Sequence, residues 1–160
     1  MMMSCSREAL ISLLVFSVQF SGKRRAKQKK IDKMAMTTFE DLEVWKRGCQ
    51  LAVDVCVQTH DSKNFSLKDQ MQRAAISIPS NIAEGAERDS EGDFIRFLRI
   101  SKGSCGELRT QLYISERVQK ALGQAPVENS REMIKETREI SAMLQGLIRS
   151  IDSRRPKKTQ

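Results

Sequence analysis

The chain is short of the residues that punctuate strand-and-turn folds. Its 160 residues include three prolines, eight glycines, six phenylalanines, one tyrosine and one tryptophan. That scarcity favours helices. There is a single histidine, His60, in a polar stretch with no nucleophile–base arrangement visible beside it, so the sequence gives no support for an enzyme. The four cysteines, Cys5, Cys49, Cys56 and Cys105, form no CxxC pair, which argues against zinc. Cys49 and Cys56 share one helical face about 10 Å apart along the axis, too far for a disulfide. They read as small buried apolar residues in a reducing cytoplasm. No metal, cofactor or small-molecule substrate is expected. The mostly apolar run Ala9–Phe20 has 12 residues, short of the roughly 20 that span a bilayer. Its basic cluster, "KRRAKQKK", follows it, the reverse of a signal peptide. A monotopic anchor with a polybasic flank is one reading. The expectation is instead a disordered or mis-annotated extension over residues 1–35, with the start at Met34 or Met36 and no membrane association.

What the chain has in quantity is charge. Charged residues make up 30% and the net charge is +8, the mark of a nucleic-acid binder at first sight. The distribution changes that picture. Residues 1–33 carry +6 and the tail Arg154–Gln160 carries +4, while residues 34–153 hold 16 Lys/Arg against 18 Asp/Glu, or −2. The basic excess belongs to the ends.

Between the ends, apolar residues recur at steps of three and four, as four helices. The first runs from about Phe39 to Thr59, behind a Thr38–Asp41 pair with capping-box spacing. It has two apolar columns, one through Leu42, Trp45, Cys49, Ala52 and Cys56 and one through Val44, Leu51 and Val55, which implies burial on two sides. The second starts at Leu67 behind a Ser66–Asp69 cap and buries Met71, Ala74, Ala75, Ile78 and Ile82, with Gly85 as a left-handed stop. The third, from about Glu91 to Leu122 behind Ser90–Asp93, is close to 48 Å long. Its stripe is Phe94, Phe97, Leu98, Ser101, Cys105, Leu108 and Leu112, and Gly103 and Gly106 are expected to admit a neighbouring helix. After the loop "GQAPVENS" the fourth helix runs to about Asp152 on Met133, Thr137, Ile140, Leu144, Leu147 and Ile151. The fold expected is an all-α, up-down-up-down antiparallel four-helix bundle over residues 36–152, with a disordered basic tail at 153–160.

Three segments stand out together: "FEDLEVWKRGCQLA", "QRAAISIPSNIAEGAERDSEGDFIRFLRISKGSCGELRTQL" and "ISAMLQGLIRSI". They resemble the bacterial four-helix-bundle family called the 23S rRNA intervening-sequence protein, over roughly residues 36–152. The resemblance implies a cytoplasmic bundle assembled as a ring-like homopentamer, with a biochemical role that is largely undefined. A related protein, the accessory variability determinant of diversity-generating retroelements, is a basic pentamer that binds nucleic acid and its reverse transcriptase. This chain departs from that relative in its slightly acidic body, and it has Gln72 where many members carry a second arginine beside Arg73.

The segment "SIPSNIAEG" places Pro79 inside a helix, where it removes a donor, presses on the Ala75 carbonyl and costs about 3 kcal/mol or more. Ser77, Ser80 and Asn81 stand ready to satisfy exposed carbonyls or to bond across to another helix, and Asn81 and Glu84 share a face. With Gly85 these residues read as a kinked structural motif rather than a catalytic site.

Projected at about 100° per residue, Arg88, Arg99, Lys102, Arg109, Arg117 and Lys120 fall with Tyr113 in one sector about 80° wide. Glu91 and Ile95 dilute its start. Such a ridge suits a nucleic-acid backbone. It equally suits a solvated face whose charges pair with acids of neighbouring helices. Two functions therefore stand side by side: a homo-oligomer that binds RNA, DNA or a reverse transcriptase-like enzyme, and a protein–protein scaffold with no nucleic-acid contact.

Overall fold

A computed structural model describes residues 38–154 apart from Pro126 and Glu128. The expectations for residues 1–35 and for most of the tail lie outside the described residues. A single 3-10 turn, Phe39–Asp41, precedes four α-helices: α1 (Glu43–Gln58), α2 (Phe65–Ala86), α3 (Glu91–Ala121) and α4 (Ser130–Asp152). Each helix packs on the next in sequence, and α1 also packs on α4, whereas α1 and α3 are not adjacent. The arrangement is all-helical among the described residues and consistent with a four-helix bundle.

The core is aliphatic, as the scarcity of aromatics requires. Leu51 and Val55 of α1, Met71, Ile78 and Ile82 of α2, Leu98, Leu108 and Leu112 of α3, and Ile140 and Leu144 of α4 are all buried. On α1 the two columns divide: Val44, Leu51 and Val55 enter the core, while Trp45, Cys49 and Cys56 remain half-buried. Arg47 ties α1 to α4. Its Nε donates to Glu136 Oε1 at 2.6 Å and its Nη2 to Glu136 Oε2 at 2.5 Å, with a further close bond to Glu139.

Helix ends show where the sequence reading needs correction. Ser90 caps α3 as expected, its Oγ accepting from Asp93 N at 3.0 Å. Ser66 does not cap α2. The helix begins earlier, and Asn64 Oδ1 accepts from Leu67 N at 3.2 Å. Thr38 makes no side-chain cap bond, and the chain turns at Leu42 before α1 begins. Gly85 is not a left-handed stop. It lies buried inside α2, where a Cβ would come within 2.6 Å of Phe97 Cβ, so its missing side chain lets α3 approach. The left-handed glycine is Gly123, at φ 66° after α3, where only glycine adopts this conformation without strain. Gly103 and Gly106 do not seat a neighbouring helix of the same chain: a Cβ at either would meet nothing within 4 Å.

Pro79 is buried within α2 and packs on α1 at Gly48, whose added Cβ would lie 3.6 Å from both Pro79 Cβ and Cδ. The three carbonyls just before the proline each receive a side-chain donor. Ser80 Oγ donates to Ile76 O at 2.8 Å, Asn81 Nδ2 to Ser77 O at 2.7 Å, and Ser101 Oγ of α3 to Ile78 O at 2.9 Å. Ser77 Oγ also bonds Ser104 Oγ across the α2–α3 seam at 2.9 Å. Ser80 and Asn81 therefore satisfy carbonyls within the proline-bearing helix, while Ser77, Ser101 and Ser104 fasten it to α3. Glu84 instead pairs with Arg88.

Candidate nucleic-acid interface

The ridge on α3 survives folding in most of its length. Arg99, Arg117 and Lys120 are exposed, Lys102 and Arg109 half-exposed, and Tyr113 stands at the surface. Ile95, expected to dilute the start of the sector, is buried at 2% exposure, so the ridge begins at Arg99. Arg88 does not join it. Its Nη2 donates to Glu84 Oε1 at 2.6 Å, and its guanidinium lies 5.3 Å from the centre of the Phe97 ring, on another side of α3.

The neighbouring helix offers these cations no acid. Lys102 Nζ donates to the neutral Gln145 Oε1 at 2.6 Å, and Tyr113 Oη accepts from Arg138 Nη2 at 2.7 Å. Among the described residues, ion pairs join Arg47, Arg73, Arg88 and Lys135 to acids; none involves Arg99, Lys102, Arg109, Arg117 or Lys120. The alternative of a solvated face with its charges paired therefore has no support on this helix. Instead α4 adds charge of the same sign. Arg131, Arg138 and Arg149 are exposed and equally without an acidic partner among the described residues. Sequence projection of α3 alone missed them. The signal was present, because at about 100° per residue these three arginines fall within about 20° of one another.

The other side-chain clusters are of a different character. A cleft of about 440 Å³ between α1 and α4 is lined by Arg47, Asp54, Glu132 and Glu136, and Arg47 is already committed to two carboxylates. Those bonds raise the Arg47 pKa, while Glu139 is held below its ordinary carboxylate range, first by the hydrogen bond from Arg47. Cys105, buried beside the ridge, has its thiol pushed up to about 12 by burial, which leaves it unreactive near neutral pH. Among the described residues no group of three or more His, Cys, Asp or Glu could hold a metal ion, and no helix is long and apolar enough to cross a membrane.

Comparison with curated proteins returns no match. Among solved structures, a protein of unknown function from the S23 ribosomal protein family of Bacteroides thetaiotaomicron is similar at 24% identity with a TM-score of 0.59. The match covers 66% of this chain and 97% of that one, and it concerns the fold alone. The family model described as 23S rRNA-intervening sequence protein matches residues 40–146, which take in all of α1, α2 and α3 and most of α4. With that match spanning the larger part of the sequence, the chain belongs to the 23S rRNA-intervening sequence protein family.

Proposed function

We propose that this protein is a non-enzymatic, homo-oligomeric four-helix bundle of the cytoplasm that holds nucleic acid, or an enzyme working on nucleic acid, against its α3–α4 face. The observation that carries the reading is the row Arg99, Lys102, Arg109, Arg117 and Lys120, none of which is in an ion pair among the described residues, beside a helix that adds further exposed arginines. Left without carboxylate partners, such cations keep their full attraction for phosphates. The up-down-up-down antiparallel order and a ring-like homopentamer belong to the same proposal. They rest on the family resemblance and on apolar surface left uncovered. Val53 and Val57 of α1 are 54% and 64% exposed, and Ile76 of α2 is 50% exposed, between the Gly48–Pro79 and Thr59–Gln72 contacts of those helices. A second copy that buried them would gain about 25 cal/mol per Å². Repetition of the basic face would then add modest contacts by avidity. A reverse transcriptase-like enzyme is the partner that the resemblance suggests.

The test is filter binding of RNA and DNA by the full chain at low and moderate salt, with sedimentation run in parallel. Arg99→Ala, Lys102→Ala and Arg109→Ala together should abolish salt-sensitive retention and leave the oligomer intact. Unchanged retention would move the interaction to the basic termini and refute the reading. The second reading, a protein scaffold without nucleic-acid contact, is favoured by the −2 charge of residues 34–153 and the same exposed valines. It predicts assembly with no retention at either salt.

A further inference from the structure

The α3–α4 seam sets arginines opposite arginines. Lys102 Nζ donates to Gln145 Oε1 at 2.6 Å and Ser130 Oγ to Glu116 Oε1 at 2.5 Å, so position numbers rise along α3 as they fall along α4. In that register Arg99 stands level with Arg149, Arg109 with Arg138, and Arg117 with Arg131. All six also lie on the same side of the seam. At about 100° per residue, Arg131, Arg138 and Arg149 fall within about 40° of Gln145, which meets Lys102, and Arg99, Arg109 and Arg117 fall within about 40° of Tyr113, which meets Arg138. Along α3 the pairs are about 15 Å and about 12 Å apart. Nearby acids are engaged: Glu107 accepts from Gln111, Glu116 from Ser130, and Glu136 and Glu139 from Arg47. Asp152 stands at the Arg99–Arg149 end, so the middle pair, Arg109 and Arg138, is the least compensated. Like charges set opposite one another weaken packing, and no ion pair among the described residues relieves these.

We infer that the facing pairs grip the sugar–phosphate chain of a nucleic acid and leave its bases unread. The inference rests on the proposed nucleic-acid binding and names what is recognised. A phosphate between two guanidiniums turns their repulsion into attraction, and each planar fork matches two of its oxygens. The means of reading bases are lacking. From Arg99 to Lys120 and from Arg131 to Arg149 there is no Asn, His, Phe or Trp. Gln145 already accepts from Lys102, and the single ring, Tyr113, is tied by its hydroxyl to Arg138. Arginine reads guanine when its helix enters the major groove, about 12 Å wide. Here the arginines are divided between two packed helices. With axes about 8–10 Å apart and diameters of about 10–12 Å, the two present a face about 20 Å across, too broad to enter that groove.

The experiment uses the full chain and a labelled RNA of about 12 nucleotides, which even when stacked at about 3.4 Å per phosphate is long enough to meet all three pairs. Binding is followed by fluorescence anisotropy at low and moderate salt. An unlabelled abasic oligomer with the same number of sugar–phosphate units should displace the probe within fivefold of the concentration that unlabelled RNA requires. Arg109→Gln with Arg138→Gln should weaken both RNA and abasic oligomer at least tenfold, whereas Arg73→Gln, which removes a cation already paired with Asp69 on α2, should leave both unchanged. Circular dichroism checks that the double variant folds; should it not, Arg99→Gln with Arg149→Gln carries the test, with at least a fivefold loss expected. An abasic oligomer more than fivefold weaker than RNA would show that bases are read and overturn the inference. So would a folded double variant that loses no more than the Arg73→Gln control. The failure of the broader reading looks different: the labelled RNA would then not bind the wild-type chain at either salt.

Discussion

Gly85→Ala is the sharpest probe of how α2 meets α3. The new methyl carbon would lie 2.6 Å from Phe97 Cβ, 3.1 Å from Phe94 Cδ2 and 3.4 Å from the Phe94 carbonyl oxygen. The first distance is about 1 Å inside the optimal separation of two carbons. Phe97 Cβ is fixed to the α3 backbone, so no rotamer change relieves the clash and the first turns of α3 must shift. Overpacking of this kind costs about 1–3 kcal/mol, and the case falls toward the upper end because backbone moves. Replacing a helical glycine returns about 1 kcal/mol. The net expectation is a loss of about 1–2 kcal/mol. Gly103→Ala and Gly146→Ala provide the contrast: with nothing within 4 Å of either new carbon, only the propensity gain remains, about 0.5–1 kcal/mol. The assay is urea denaturation followed by circular dichroism at fixed protein concentration, because assembly makes apparent stability depend on concentration. At about 1–3 kcal/mol per molar urea, the difference of about 1.5–3 kcal/mol between Gly85→Ala and Gly103→Ala corresponds to roughly 0.5–3 M in midpoint with slopes unchanged. A Gly85→Ala midpoint at or above wild type would refute the close approach of α3 to α2 and the reading of this glycine as a packing residue.

Three further outcomes are expected. Ser101→Ala removes the buried hydroxyl that donates to Ile78 O and should lower stability by about 1 kcal/mol, read in the same urea titration; an unchanged midpoint would mean the bond does not help to fasten the proline segment. Arg47→Met should flatten the acid limb of the stability profile: Glu139 has a depressed folded pKa because Arg47 bonds it, so its contribution is present above the ordinary value of 4.5 and is lost as pH falls through the lower folded value. A melting series from pH 6 to pH 3 that loses stability equally in wild type and variant would count against that linkage. Iodoacetamide at pH 8 should modify the half-buried Cys56 in the native protein, Cys49 more slowly because burial raises its thiol pKa, and spare Cys105 until denaturant is added; prompt native labelling of Cys105 by peptide mass would contradict its burial.

Local signals were the most legible part of the chain. Ser90 and Asp93 announce the start of α3 because a cap needs only residues three apart. The four apolar stripes were readable for the same reason. Where two local solutions compete, the sequence cannot rank them. Asn64 and Ser66 are both residue types that cap helices; the helix takes the earlier, which leaves Ser66 inside α2 and Phe65 74% exposed as its first residue. A glycine at the end of an apolar pattern serves equally as a left-handed stop or as a contact point, and Gly85 is decided by Phe97, a residue twelve positions away. Arg88 leaves the basic ridge through contacts with Glu84 and the Phe97 ring that helical projection does not contain. The two columns of α1 were visible, but which of them entered the core depended on the placement of α2 and α4.

Net charge hides what the α3–α4 face presents. The −2 of residues 34–153 is a sum over surfaces that a polyanion never meets together. Acids gather around the turn between α2 and α3, at Glu87, Asp89, Glu91 and Asp93, while the cations from Arg99 onward lie along the outer side of α3. From Glu91 to Arg99 is about 12 Å along the helix, and to Lys120 about 44 Å. At physiological ionic strength the screening length is about 8 Å, so a strand on the ridge feels the cations beside it and little of the acidic turn. In 0.01 M salt that length grows to about 30 Å, and the turn then opposes binding at the Arg99 end while the Lys120 end still attracts. The attraction is accordingly graded along α3 and concentrated toward the half that carries Arg109, Tyr113 and Arg117. The exposed valines lie on α1, which is not adjacent to α3. Copies that met through them would leave the graded face open on every subunit, which is the arrangement that repeated, individually modest contacts to one strand require.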